Sequence, residues 1–181
     1  MKIFKYLTIP IISILFSSCY LLSPPNVFLN KDFNGNQIAV LNFSKYGPYL
    51  PSEISRIAAD KLTDALYLKG KFNVVDRANV NDAEANMEIA SPESLSSDQI
   101  QKLGLMLKAN YLILGRIQNI SDPDIFNQDA QKQLYISFRI ISVLNSNVMG
   151  VATYKITYSN NLLQSLNDAM KTIADRMVSV K

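Results

Sequence analysis

The 181-residue chain contains no histidine and no tryptophan, and it has a single cysteine. Without histidine, the Ser-His-Asp and Cys-His arrangements of nucleophilic catalysis are excluded, as are imidazole metal sites. One cysteine cannot form a disulfide within the chain or a site with several thiolate ligands. The sequence also lacks a Ser-x-x-Lys motif, a G-x-G-x-x-G motif and a P-loop. We therefore predict a protein that is not an enzyme and that has no metal or cofactor.

Charge gives no sign of nucleic-acid binding. The chain has 18 basic and 15 acidic residues, and no block of like charge occurs. A basic face of the kind that binds phosphate backbones is therefore not predicted. Asp122, Asp124 and Asp129 suggest a calcium loop, but the glycine and the bidentate glutamate of that design are missing. A solvated polar loop is the better interpretation of this segment.

Cys19 follows a short apolar segment at the start of the chain. Lys2 and Lys5 are followed by the apolar run 7–16, and Ser17-Ser18 precede the cysteine. The run is too short for a transmembrane helix, which needs about 20 residues. This arrangement resembles the lipobox of bacterial lipoproteins, with Phe16 where leucine is more usual. The resemblance implies a signal peptide over residues 1–18 and lipidation of Cys19. An ordinary secretory signal with a chance cysteine is the alternative.

The rest of the chain is predicted to be a tether followed by one domain. Residues 19–36 carry Pro24-Pro25 and many asparagines, without periodic apolar spacing, which predicts a flexible tether. Such a tether reaches at most about 60 Å when fully extended. Residues 37–181 are enough for one domain.

Hydrophobic patterns in residues 37–181 predict an α/β domain. Near-continuous apolar runs predict buried strands at 38–43, 72–76 and 111–117, and long alternating segments predict a hairpin of strands at 134–144 and 148–158. Helical spacing predicts a helix that begins after Ser52 and stops at Gly70, a loosely packed helix within 78–90, one after Ser97 and one over 163–177. The predicted fold class is a single α/β domain with a mixed sheet and flanking helices.

Four fragments, with a long predicted helix ending in Leu66 between the first two, carry a resemblance to a known family. In order, the fragments are Ile38-Ala39-Val40-Leu41-Asn42-Phe43, Phe72-Asn73-Val74-Val75-Asp76-Arg77, Leu103-Gly104, and Ala109-Asn110-Tyr111-Leu112-Ile113-Leu114-Gly115-Arg116-Ile117. The chain resembles the CsgG/LpoB group of outer-membrane lipoproteins, whose soluble fold is related to the amino-terminal domain of TolB. The resemblance implies an outer-membrane lipid anchor with the domain facing the periplasm. Within the fragments, Gly104 and Gly115 are expected where backbones approach closely.

The resemblance implies two possible functions. One is an LpoB-like activator or regulator of peptidoglycan synthesis, whose partner is a peptidoglycan synthase. The other is a CsgG-like component of outer-membrane secretion, an oligomeric channel or its accessory. Arg139 and Lys155 on the predicted hairpin are unfavourable on a lipid-facing surface. The activator is therefore preferred, and a homo-oligomer stays open.

The segment between the first strand and the first helix contains the candidate partner-binding residues. Tyr46, Tyr49 and Leu50 lie in this Gly/Pro-rich loop. Tyrosine offers a large contact area and loses little rotamer freedom on binding. We therefore predict that this loop contacts an envelope protein. The alternative is that the two rings pack over the end of the helix.

Overall fold

The computed structural model describes residues 24–120, 132–158 and 161–181, which form one α/β domain. In chain order the elements are β1 (Asn26–Leu29), β2 (Ile38–Val40), β3 (Ser44–Tyr46), α1 (Ile54–Leu68), α2 (Arg77–Asn86), α3 (Ser97–Leu107), β4 (Tyr111–Asn119), β5 (Lys132–Ser142), β6 (Val148–Tyr158) and α4 (Leu162–Val180). A 3₁₀ turn at Pro92–Ser94 precedes α3. In these ranges no helix is both long and apolar enough to cross a membrane.

The sheet is mixed and has the strand order β1-β6-β5-β4-β2. β4, β5 and β6 form an antiparallel meander, and β1 adds antiparallel to β6. β2 and β3 both pair parallel with β4, one after the other along its length. The predicted single α/β domain with a mixed sheet and flanking helices is confirmed.

Two hydrophobic clusters lie on opposite faces of the sheet. The larger joins α1 and α4 to one face and includes the buried residues Leu62, Ile113, Ile136 and Ile173. The smaller joins α2 and α3 to the other face and includes Leu103. Strand side chains alternate between faces, so β4 supplies Ile113 to one cluster and its neighbour Leu112 to the other.

Glycines allow two close approaches in this packing. A Cβ on Gly115 would overlap the ring of Phe43, and one on Gly104 would overlap the side chain of Val143. The close approaches predicted at Gly104 and Gly115 are present, but the nearest atoms belong to side chains and not to another backbone as predicted. Gly70 has a φ of +64° just after α1, which fits its predicted role as the helix stop.

The structure differs from the sequence prediction near the amino terminus of the domain. The segment predicted as a flexible tether contains β1, which pairs with β6, and Phe33, which is buried against Phe72 and Tyr111. Four residues are too few to show a strand pattern, and the ladder to β6 depends on a partner more than 120 positions later in the chain. The tether prediction is therefore wrong for residues 26–36.

Further details of the sequence prediction are corrected. Of the predicted strand 38–43 only residues 38–40 form a strand, β2, and β3 (Ser44–Tyr46) lies in the segment predicted as a loop. The segment 72–76 contributes one bridge, between Val74 and Ile38. Helix α1 has Glu53, not the predicted Ser52, at its N-cap and has no side-chain cap, and the Ser52 hydroxyl donates to the Glu53 carboxylate. Ser96, one residue before the predicted start, caps α3 together with Gln99. Leu163 is half exposed and lies outside the buried stripe of α4.

Candidate protein-binding surface

Part of the sheet face that carries α2 and α3 is open to solvent. The pairing register places the same-face residues of the strands in rows, so that Arg116 of β4 lies opposite Ser137 of β5, which lies opposite Thr153 of β6. The next row contains Tyr135 and Lys155, and the previous row contains Arg139. We call these six residues the open face. Arg116, Arg139 and Lys155 are exposed, and Tyr135, Ser137 and Thr153 are partly buried.

Tyr46 belongs to the same surface. It ends β3 and pairs with Gln118 of β4, which pairs with Tyr135 of β5, so the two tyrosines lie in one row of the sheet. The Tyr46 ring is 42% exposed, and its hydroxyl donates a hydrogen bond to the Glu93 carboxylate. That bond is the main reason why the pKa of Tyr46 is raised.

The tyrosine loop, residues 44–51, continues outward from this row. Tyr49 is 80% exposed and has a φ of +64°, so its ring does not pack over the helix end as the alternative interpretation required. Leu50 is partly buried against the larger hydrophobic cluster. The Asn119 amide donates to the Pro48 carbonyl oxygen at 3.0 Å and fastens the loop to the end of β4. Of the three predicted site residues, Tyr46 and Tyr49 are available to a partner and Leu50 anchors the loop.

A cleft of about 630 Å³ lies beside the loop, between Tyr46 and helix α2. A polar cluster forms its floor. Glu84 of α2 is 6% exposed and accepts bonds from the Asn42 backbone N–H at 3.0 Å and from the Asn42 side-chain amide at 2.7 Å. Burial raises the pKa of Glu84 to about 6, against the lowering effects of the Asn42 bond and the Arg77 charge.

Arg77 connects this cluster to helix α1. Its guanidinium donates to Asp60 at 2.9 Å, to the Asn42 side chain at 2.6 Å and to the Val40 carbonyl oxygen. Asp76, the residue before Arg77, caps α2 by accepting a hydrogen bond from the Ala78 N–H at 2.8 Å. The cluster fixes the chain between β2 and β3, and it thereby positions the start of the tyrosine loop.

Two sequence interpretations lie outside the described residues. These are lipidation at Cys19 and the polar loop with Asp122, Asp124 and Asp129. Within residues 24–120, 132–158 and 161–181, no group of three or more carboxylate, thiol or imidazole side chains is placed to hold a metal ion. The groups exposed on the open face and the tyrosine loop include tyrosines and cations.

A family model for the peptidoglycan-synthase activator LpoB matches residues 55–150. The chain belongs to this family. No curated protein matches the sequence. The match confirms the predicted resemblance to LpoB-like lipoproteins and gives no support to the CsgG group.

Solved structures agree with this family in fold. The LpoB C-terminal domain from Salmonella enterica is 13% identical with a TM-score of 0.52, covering 71% of this chain and 88% of that one. The PelC dodecamer from Paraburkholderia phytofirmans is 12% identical with a TM-score of 0.55, covering 82% and 94%. Lipoprotein GNA1162 from Neisseria meningitidis is 12% identical with a TM-score of 0.52, covering 80% and 99%. At these identities the similarity is one of fold.

Proposed function

We propose that this protein is a lipid-anchored, non-catalytic activator or regulator of peptidoglycan synthesis. The match of residues 55–150 to the activator family is the observation that carries the proposal. Lipidation of Cys19 would hold the chain at the outer membrane with the domain facing the periplasm. The peptidoglycan synthase would be its protein partner.

The tyrosine loop supports a binding role for the domain. Tyr46 and Tyr49 project from a loop whose base is fixed by Leu50 and by the Asn119 bond. Exposed aromatic rings on a preorganised loop provide contact area at a low entropic cost. We propose that both rings contact the synthase.

The position of β1 limits how far the anchored domain reaches. Asn26, the first residue of β1, is seven positions after Cys19. Seven residues span at most about 25 Å when fully extended, less than half of the reach expected for the longer tether. The anchored domain would therefore stay close to the membrane, and the synthase would have to extend toward it.

A reconstituted synthesis assay tests the proposal. The full-length lipoprotein in detergent is added to a purified bifunctional synthase of the same organism, and consumption of the lipid-linked precursor is followed. We expect faster glycan polymerisation, and loss of the stimulation in a Tyr46→Ala, Tyr49→Ala double variant. Tyr67→Ala is the matched control, because this tyrosine is 69% exposed on α1, away from the loop.

Two results would contradict the proposal. The first is an unchanged polymerisation rate for every synthase of the organism. The second is stepwise conductance when the lipoprotein is added to a planar bilayer, together with a ring-sized mass in detergent. That result would favour an oligomeric secretion component instead. If stimulation occurs and the double variant retains it, the activator function stands and the contact lies outside the tyrosine loop.

A further inference from the structure

The open face carries three cations, Arg116, Arg139 and Lys155. Arg116, Arg139 and Lys155 form no ion pair with any carboxylate in the described residues. Arg116 donates through Nε to the Ser137 hydroxyl at 3.2 Å, and Arg139 donates to the Glu93 backbone carbonyl at 2.7 Å. These bonds orient both guanidinium groups and leave most of their donors available.

A carboxylate does lie at the rim of this surface, on Glu93. The Tyr46 hydroxyl donates a hydrogen bond to that carboxylate, whereas Arg139 donates to the Glu93 backbone oxygen. Glu93 therefore joins the tyrosine loop to the open face without forming an ion pair with Arg139. One partner can cover both parts of the surface.

The spacing of the cations indicates a ligand with several anionic groups. Arg116 and Arg139 are diagonal neighbours on adjacent strands, so the two residues lie about 7–8 Å apart. Lys155 is two rows from Arg139 on the next strand, about 14 Å away. A single phosphate or carboxylate cannot contact all three. A surface with acidic groups spread over about 10 Å can.

The other residues on this side of the sheet favour a protein over a small anion. Val151 lies opposite Arg139, and Phe28 of β1 lies opposite Val151. Phe28 is 64% exposed and Val151 is 38% exposed, and the partly buried Tyr135 lies two rows away on the same face. Arginine combined with aromatic and aliphatic side chains is typical of protein–protein interfaces.

We propose that the open face binds an acidic patch on the surface of the protein partner. The proposal rests on the proposed function, since it names the chemistry of that same partner. The tyrosine loop supplies the aromatic contacts, and the three cations steer and orient the partner. Association is therefore expected to be fast at low salt and to weaken as salt screens these charges.

The test measures binding of fluorescent poly-L-glutamate, an acidic polypeptide probe, to the full-length lipoprotein in detergent. We expect binding in about 50 mM NaCl that is lost in about 500 mM, because the Debye length shortens several-fold. An Arg116→Glu, Arg139→Glu, Lys155→Glu variant is expected to bind at least about tenfold more weakly, since each exposed ion pair contributes a few-fold. The corresponding triple glutamine variant replaces it if the charge reversal impairs folding.

A control variant separates the effect of this surface on binding from the effect of the protein's total charge. Lys102→Glu, Lys171→Glu and Arg176→Glu make the same charge change on exposed helical positions of α3 and α4. Retained binding in this control supports the proposal, and an equal loss would overturn it. Absence of probe binding would also overturn it, as would binding only to polyphosphate or to phosphatidylglycerol vesicles through the same three residues.

The synthesis assay keeps the two proposals distinguishable. If the lipoprotein stimulates no synthase but binds the probe through these three cations, the activator function fails and the acidic-partner surface stands. If it stimulates a synthase and the charge-reversed variant stimulates equally well at low salt, the surface proposal fails and the activator function stands.

Discussion

Glu84→Gln tests the buried polar cluster beneath the tyrosine loop. The Glu84 carboxylate is 6% exposed and accepts bonds from the Asn42 backbone and side chain. Burial disfavours its charged form and raises its pKa from 4.5 to about 6. The substitution keeps the shape of the side chain and removes the charge.

The expected effect on stability depends on pH. Because the folded-state pKa is raised, the folded protein binds the proton more tightly than the unfolded chain between about pH 4.5 and pH 6. Unfolding free energy therefore falls by about 2 kcal/mol as pH rises through this window, at about 1.4 kcal/mol for each pKa unit. Glutamine avoids this loss, but its NH₂ group cannot accept the hydrogen bond that the Asn42 side-chain amide donates, and the lost bond costs about 1 kcal/mol of unfolding free energy.

These two effects predict that the Glu84→Gln variant is the more stable protein at neutral pH and the wild type the more stable one at acid pH. We expect the Glu84→Gln variant to be more stable than the wild type by about 1 kcal/mol at pH 7.5, and less stable by about 1 kcal/mol at pH 4.5. Urea unfolding followed by circular dichroism across this range measures the difference. Asp82→Asn, an exposed change on the same helix, is the control. A stability difference between Glu84→Gln and wild type that does not vary with pH would refute the reasoning.

Four further substitutions address the anchor and the core. Cys19→Ala is expected to remove the acyl mass from the mature protein and its detergent partitioning, and an unchanged mass would contradict lipidation. Ile173→Ala is expected to cost about 2–5 kcal/mol of unfolding free energy, because Ile173 is fully buried. The control Leu163→Ala, on the exposed side of α4, is expected to cost less than about 1 kcal/mol. Equal urea midpoints for the two variants would mean that α4 is peripheral. Gly115→Ala is expected to cost about 1–3 kcal/mol or more, since its Cβ overlaps the Phe43 ring, and a wild-type melting temperature would contradict that packing.

Elements with a strong local pattern were predictable from the sequence. Local apolar patterns indicated the run that became β4, the long alternating hairpin of β5 and β6, and the buried stripe of α4 apart from Leu163. β1 and the 72–76 segment were not predictable, because each is short and depends on pairing with a distant strand. Local propensity in those segments does not distinguish coil from strand, and pairing with a distant strand determines which of the two forms.

The candidate surface was also predictable only in part. Composition alone pointed to Tyr46 and Tyr49, because an aromatic pair in a Gly/Pro-rich loop is a local signal. Arg116, Arg139 and Lys155 lie on three different strands, and the sequence places polar residues alternately along each strand without saying which face stays open. Register decides this, since a slip of one residue would turn all the side chains of a strand to the opposite face. Only the parallel pairing of β3 with β4 puts Tyr46 in the same row as Tyr135 and so joins the loop to the cations. The surface is therefore a property of the assembled sheet, and loss of that register would separate its charges from its aromatic rings.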